Sequence, residues 1–313
     1  MKLDEGFVDW LLASPTPSIR YFTLVNLLGR ERDDAEVLSA RGEIMRQGPV
    51  PAILQGQTER GDWQPEHSYY TPKYTSTHWS MLLMAELNAD GDDPRLRRGA
   101  AHMLEATEAE AVENAVRGAY GLSCFWGNVL RYALHCGFAG DPRVDRIIEY
   151  LVQDAVDWQW RCKHNWDLSC AWGAARGLFG LASIPAENRS SSVNAAIRKG
   201  LDFLLVGERL AQGSFPDETR VHRLWSRLNF PLFYQADVLF VLRVAAELEA
   251  QDHPGAQPAL AWLRARRMRS GHWRGASPFR RRTWPELGEA GDVNRWVSLH
   301  TAHILQRAQG RPD

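Results

Sequence analysis

Apolar residues along this chain recur with helical spacing, and they fall into two kinds of segment. In the first kind the residues are apolar or small almost all round. These are "HWSMLLMAEL" (His78–Leu87), "FWGNVLRYALHCGF" (Phe125–Phe138), "AWGAARGLFGLASI" (Ala171–Ile184), "FYQADVLFVLRVAAEL" (Phe233–Leu248) and "WVSLHTAHIL" (Trp296–Leu305). A helix without a polar face must be buried on every side. In the second kind, apolar residues occupy one stripe and charges the other: "PRLRRGAAHML" (Pro94–Leu104), "PRVDRIIEYLVQ" (Pro142–Gln153), "VNAAIRKGLDFLL" (Val193–Leu205) and "ALAWLRARRM" (Ala259–Met268). With "SIRYFTLVNLLG" (Ser18–Gly29) the buried kind numbers about six, and the two kinds alternate. Alternating period-two patterns that would predict strands are nearly absent.

The alternation is a repeat. "LSCFWG" (Leu122–Gly127) and "LSCAWG" (Leu168–Gly173) differ at one position, and Trp79, Trp126 and Trp172 stand 47 and 46 residues apart. Asp93-Pro94-Arg95 and Asp141-Pro142-Arg143 repeat at a similar interval. Asp supplies an N-cap acceptor and Pro a preset φ at the first helical position, so each pair predicts a helix start. Each unit therefore reads as helix, turn, helix. Stacked hairpins of this kind build either an α/α toroid or an open superhelical solenoid. A solenoid leaves one face of its inner helices wet and polar, which these inner segments do not offer.

A resemblance supplies the closure. "RGAAHML" and "RKGLDFLL" look like the first half, and "ILQGQTERGDW" (Ile53–Trp63) like the second half, of the Gln-Trp repeat of squalene and hopene cyclases. "WLRARRMRSGHW" (Trp262–Trp273) resembles a degenerate copy without the Gln. The whole chain is similar to the terpenoid-cyclase and protein-prenyltransferase superfamily, nearest to compact bacterial prenyltransferase-like or squalene-cyclase-like members. That resemblance implies an all-α, α/α toroid of about six hairpins as a single domain over residues 1–313. It also implies a central aromatic cavity for a hydrophobic, isoprenoid-like small molecule. One such fold hosts many chemistries.

Composition narrows the classes further. A formal charge of −1 over 313 residues gives no general attraction to nucleic acid. No run approaches the ~20 apolar residues of a membrane span, and the acidic start "MKLDEGFVDWLL" lacks the basic-then-apolar order of a secretory leader. The expectation is a cytoplasmic protein with reduced thiols, its oligomeric state left open. Thirteen tryptophans fit an aromatic-lined cavity or repeated packing anchors.

Chemistry gathers around the repeated cysteines. Cys124 and Cys170 each begin a buried helix, and in a toroid those starts share one rim. A helix N-terminus favours thiolate. "WRCKHNWDLSC" adds Cys162 and His164 just before Cys170, and the last buried helix adds His300. Zn²⁺ takes about four S or N ligands, so Cys124, Cys162, Cys170 and His300 are the candidate metal ligands and zinc the candidate cofactor. Within the resembled superfamily, prenyltransferases hold zinc with Asp, Cys and His, and lanthionine cyclases with two Cys and a His. "DLSCAWG" from Asp167 is similar to the former stretch but one residue longer between Asp and Cys. The competing reading is a packing echo, since free cysteines are small hydrophobes and Thr77 and His78 hold the equivalent place one repeat earlier. Cys136, mid-helix, reads as core.

Cys124, Asn128, Arg131 and His135 form a polar stripe on an apolar helix, and Arg176, Gln235 and Asp237 interrupt other buried helices. Asp167, Asp237, His78, Arg131 and His135 are the candidate catalytic groups, with an inter-helix hydrogen-bond network as the plain alternative. Asp90-Gly91-Asp92-Asp93 spells the acid motif of alkene-protonating cyclases but lies between helices and reads as a turn. Eight arginines from Arg264 to Arg282 form either a solvated face or an anion site. Two function classes follow: an enzyme acting on a hydrophobic substrate, zinc-assisted at the cysteine rim, or a non-catalytic toroid binding lipid or protein. A wide cavity with converging polar groups favours the first, a plugged pore with no cavity the second.

Overall fold

A computed structural model describes residues 4–117, 121–215, 222–287 and 290–309. The chain is all-α in class, as expected. Its helices are α1 (Glu5–Leu12), α2 (Pro17–Phe22, continued by a π-helical turn to Leu27), α3 (Ala35–Ile44), α4 (Pro49–Leu54), α5 (Thr77–Glu86), α6 (Pro94–Arg117) and α7 (Ser123–His135). They continue with α8 (Pro142–Val156), α9 (Ala171–Leu181), α10 (Ser191–Leu204), α11 (Arg209–Gln212), α12 (Val238–Glu247), α13 (Gln257–Ala265) and α14 (Ala290–Arg307). Between α8 and α9 lies the only sheet among the described residues, a hairpin of β1 (Arg161–Cys162) and β2 (Leu168–Ser169).

Local chemistry starts these helices where the sequence predicts. Asp141 accepts from the Arg143 N–H at 2.9 Å at the head of α8, and Asp93 accepts from the Arg95 N–H at 2.8 Å at the head of α6. Ser190 does the same for Val193 and Asp237 for Phe240. The acid-rich stretch Asp90–Asp93 is a turn, its last Asp spent on this cap.

Burial separates the two kinds of helix. Along α5 every residue from Thr77 to Met84 is buried, and α7, α9 and α12 are nearly as enclosed. In contrast α8 buries one stripe, Val144, Ile147, Tyr150 and Leu151, together with the Asp154 carboxyl that accepts from Ser123, and leaves Arg143, Asp145 and Glu149 partly or fully exposed. The enclosed helices touch in the order α5–α7–α9–α12–α14, and the amphipathic ones in the order α6–α8–α10. Helix α14 then packs on α2 and its π-helical extension. Thr16 donates to Asp292, His303 Nδ1 lies 3.0 Å from the Asn26 carbonyl, and the Arg295 guanidinium donates to the Trp10 carbonyl. Ser18 in α2 donates to the Leu87 carbonyl at the end of α5.

Two loops that lead into enclosed helices carry the same clamp. The Trp63 indole donates to the Ile53 carbonyl at 2.7 Å while its backbone N–H reaches the Thr77 hydroxyl at 2.9 Å. Ten residues likewise separate Trp273 from Leu263, whose carbonyl takes the indole N–H at 2.8 Å, and Ser298 takes the backbone N–H at 2.9 Å. A buried indole N–H needs such an acceptor. The Gln57 amide ties the first copy to the Arg95 carbonyl of α6. The second copy lacks that Gln, and its Trp clamp stands without it.

The interior between the enclosed helices is filled. Tyr74 stacks on Phe233 with centroids 4.3 Å apart, and Trp79, Tyr132 and Phe179 are buried around them. Arg176 is wholly buried, donating to the Gln235 carbonyl through two nitrogens and lying 3.9 Å over the Phe240 ring. No helix among the described residues is long and apolar enough to cross a membrane.

Candidate functional site

At the N-terminal ends of the enclosed helices a cavity of about 720 Å³ opens. Its walls come from the loops that enter them: Tyr69, Tyr70 and Lys73 ahead of α5, Leu122 and Cys124 at α7, Trp172 at α9, and Tyr234 ahead of α12. Glu110 of α6 closes one side, and Cys162, His164 and Asn165 of the hairpin close another. The Lys73 ammonium sits over two rings, 5.1 Å from the Tyr70 centroid and 4.7 Å from that of Tyr234. Tyr69 donates to Glu110 at 2.9 Å.

Three thiols face this space. Cys124 is the second residue of α7, whereas Cys170 is the N-cap of α9, its sulfur accepting from the Gly173 N–H at 3.4 Å. The two repeated cysteines are therefore not in the same helical frame. Cys162 reaches them from β1, where it pairs with Leu168. Cys162 and Cys170 each act on the other's ionisation, and the backbone N–H groups of His164 and Asn165 act on the Cys162 thiol as well.

That environment decides which thiol ionises. Cys162 is lowered to about 6, first by the Cys170 hydrogen bond and further by the two N–H donors and the adjacent His164. Cys170 is pushed well up, because it is the donor of that bond and is desolvated. Cys124 is pushed up to about 12, chiefly by burial among aromatic rings and then by the neighbouring Cys162. A helix N-terminus alone does not produce a thiolate here; burial outweighs it. Labelling with iodoacetamide at increasing pH, followed by peptide mapping, is expected to give Cys162 a midpoint near 6 and to leave Cys124 unreactive at neutral pH. The Cys162 midpoint moves upward in Cys170→Ala; an unchanged midpoint would refute the hydrogen bond as its cause.

The sequence-derived ligand set comes together only in part. Cys124, Cys162 and Cys170 meet at the cavity, but His300 does not join them. It lies in α14 beside a separate small cavity with Glu86, Asn229, Asp237 and Arg243, stacked on Trp296. Three thiols with an imidazole nearby are a suitable donor set for zinc. Among the described residues, however, no three His, Cys, Asp or Glu side chains are placed to hold a metal ion.

None of the five candidate catalytic groups lines the cavity. Asp167 stands exposed in the hairpin turn, next to Trp166, which is 89% exposed. Asp237 is consumed as the α12 cap and by Asn229, which donates to it from backbone and side chain. His78 is enclosed against Phe125 and Tyr132. Arg131 pairs with Glu247 at 2.7 Å, and His135 Nε2 meets the Ala89 carbonyl at 2.7 Å. With Asn128 donating to the Phe233 carbonyl, the polar stripe on α7 is an inter-helix network. Cys136 is core. Arg280, Arg281 and Arg282 are exposed, in keeping with a solvated face.

Sequence reasoning missed the walls: Tyr69, Tyr70, Lys73, Glu110 and Tyr234. A signal was present in "HSYYTPKYTSTHW", an aromatic-rich loop too long for a plain connection and set just before a buried helix. Comparison with family models, with curated proteins and with solved structures finds no match to this chain.

Proposed function

We propose that this chain is a single-domain α/α toroid whose rim cavity binds a hydrophobic, isoprenoid-like small molecule and acts on it through Cys162. The convergence of three cysteines on one aromatic-walled cavity carries the reading. The order of helix contacts and the bonds between α14 and the N-terminal helices support the toroid. Tyr70, Phe125, Trp172 and Tyr234 offer flat apolar faces, and a cavity of this size accommodates a molecule of some tens of atoms. The Cys162 sulfur is the nucleophile, its ionisation favoured first by the neighbouring Cys170 thiol and then by backbone N–H groups, while Cys170 holds a proton beside it. The terpenoid-cyclase and prenyltransferase resemblance agrees with a hydrophobic substrate; the carboxyl in the described lining, Glu110, accepts a hydrogen bond from Tyr69.

Calorimetric titration with farnesol is expected to show saturable binding, weakened roughly tenfold or more by Tyr234→Ala. Cys162→Ala should retain binding and lose turnover of the isoprenoid substrate. Absence of saturable binding by any isoprenoid alcohol sinks the reading. Binding without product formation by the wild-type chain would leave the non-catalytic lipid-binding toroid. A second reading, zinc on Cys124, Cys162 and Cys170, is favoured by three soft donors facing one space. It requires the sulfurs to draw together from their present arrangement, and stoichiometric zinc that is lost in Cys124→Ala or Cys170→Ala is its test.

A further inference from the structure

We propose that Cys162 and Cys170 form a dithiol that exchanges with small-molecule disulfides entering the rim cavity, cycling between two thiols and a Cys162–Cys170 disulfide. This goes beyond the isoprenoid reading and does not rest on it.

The geometry begins with the hairpin register. Cys162 lies opposite Leu168 and Arg161 opposite Ser169, and the Cys170 N–H donates to the Trp160 carbonyl at 2.8 Å, which extends the ladder by one step. Side chains alternate along a strand, so Cys162, Leu168 and Cys170 share a face and the two cysteines are diagonal neighbours. Both line the same cavity, and each acts on the other's ionisation. Diagonal neighbours stand about 7–8 Å apart at Cα, at the far limit of what an S–S bond of about 2.05 Å spans, so oxidation draws the two strands together, a movement that half-exposed strands of two residues can follow. Both sulfurs border the cavity, so a disulfide placed among Tyr70, Trp172 and Tyr234 has access to them. Cys136, buried in the core, is outside this chemistry.

In the first step the Cys162 thiolate attacks one sulfur of a disulfide RSSR. A bond forms from Cys162 Sγ to that sulfur, the R–S–S–R bond breaks, and RS⁻ leaves to be protonated as RSH. In the second step Cys170 gives up its proton and attacks Cys162 Sγ, expelling the second thiolate, again protonated as RSH. Two protein thiols are oxidised by two electrons and one disulfide is reduced to two thiols. The aromatic walls favour aromatic or otherwise apolar R groups.

The test uses the full-length, reduced, chelator-treated chain with dithionitrobenzoate, an aromatic disulfide. The expected result is a fast phase that releases two thionitrobenzoates, with peptide mapping of the quenched product showing a Cys162–Cys170 cross-link. Cys170→Ser should stop after the first step and retain a thionitrobenzoate on Cys162. Cys162→Ser should slow the fast phase by about tenfold or more. A wild-type product that keeps the thionitrobenzoate on Cys162, or whose cross-link runs to Cys124, overturns the proposal. The wild-type mapping reads the cross-link directly, so the outcome does not depend on how well either variant folds.

Discussion

Gly127→Ala is expected to lower the unfolding free energy by about 2 kcal/mol, while Gly173→Ala, the same change in the second copy of the hexapeptide, leaves stability unchanged or slightly raised. A methyl group at Gly127 would lie 2.0 Å from the Arg176 carbonyl oxygen and 2.8 Å from the Gly177 nitrogen, both backbone atoms of α9. Gly180 of α9 in turn packs against the Gly127 backbone, where its own added carbon would lie 2.6 Å from an oxygen. The two helices meet backbone to backbone, and neither can yield without parting the seam that also fixes Asn128 and Arg176. Overpacking of this sort costs about 1–3 kcal/mol or more, against roughly 1 kcal/mol gained from replacing glycine within a helix. At Gly173 the nearest atom to an added carbon is Cys170 Cβ at 3.5 Å, ordinary contact, so only the helix gain remains. Chemical denaturation of both variants checks the pair, and equal effects would contradict the seam.

The second large effect is acid sensitivity through His78. Burial lowers this imidazole from 6.5 to about 3, with the Arg176 charge adding to it, and its Nε2 has no hydrogen-bond partner. The folded state therefore binds fewer protons here than the unfolded chain between pH 6.5 and about 3. Stability from this group is complete above pH 6.5 and is lost as pH falls through that window, by on the order of 5 kcal/mol at about 1.4 kcal/mol per unit. His300, His135 and His303 are lowered as well and act with the same sign. Asp154 and Asp237, raised by burial to about 6, act with the opposite sign, since their contribution grows as pH falls from 6 toward 4. The isolating measurement is the difference between the wild-type chain and His78→Phe, compared by denaturation at pH 7 and pH 4. The variant is expected to lose markedly less stability on acidification, whatever its stability at pH 7. Parallel pH curves would show that His78 is not held neutral by its surroundings.

Much of this protein was determined by sequence alone, because the physics involved is local. Helical periodicity, Asp-Pro starts and the lack of polar faces on "HWSMLLMAEL" or "AWGAARGLFGL" were enough to establish the all-α class and to separate enclosed from outward-facing helices. The same locality made Asp90–Asp93 legible as a turn. Which residues form the candidate site was decided by tertiary structure. "LSCFWG" and "LSCAWG" read alike, yet one cysteine falls inside α7 and the other caps α9. One tryptophan, Trp126, is buried in the core while Trp172 lines the cavity, and one glycine seals a helix seam while the other touches little. His300 shares its spacing with a plausible ligand, but its distance along α14 from the helix start carries it to a different cavity. Cys162 finds Cys170 because a hairpin turns the chain back on itself, and the ionisation of its thiol depends on N–H groups that only the folded turn presents. A repeat in sequence conserves the rise and face of a helix. The direction of each side chain also depends on where the helix begins and which backbone lies against it, and those are settled only when the helices pack.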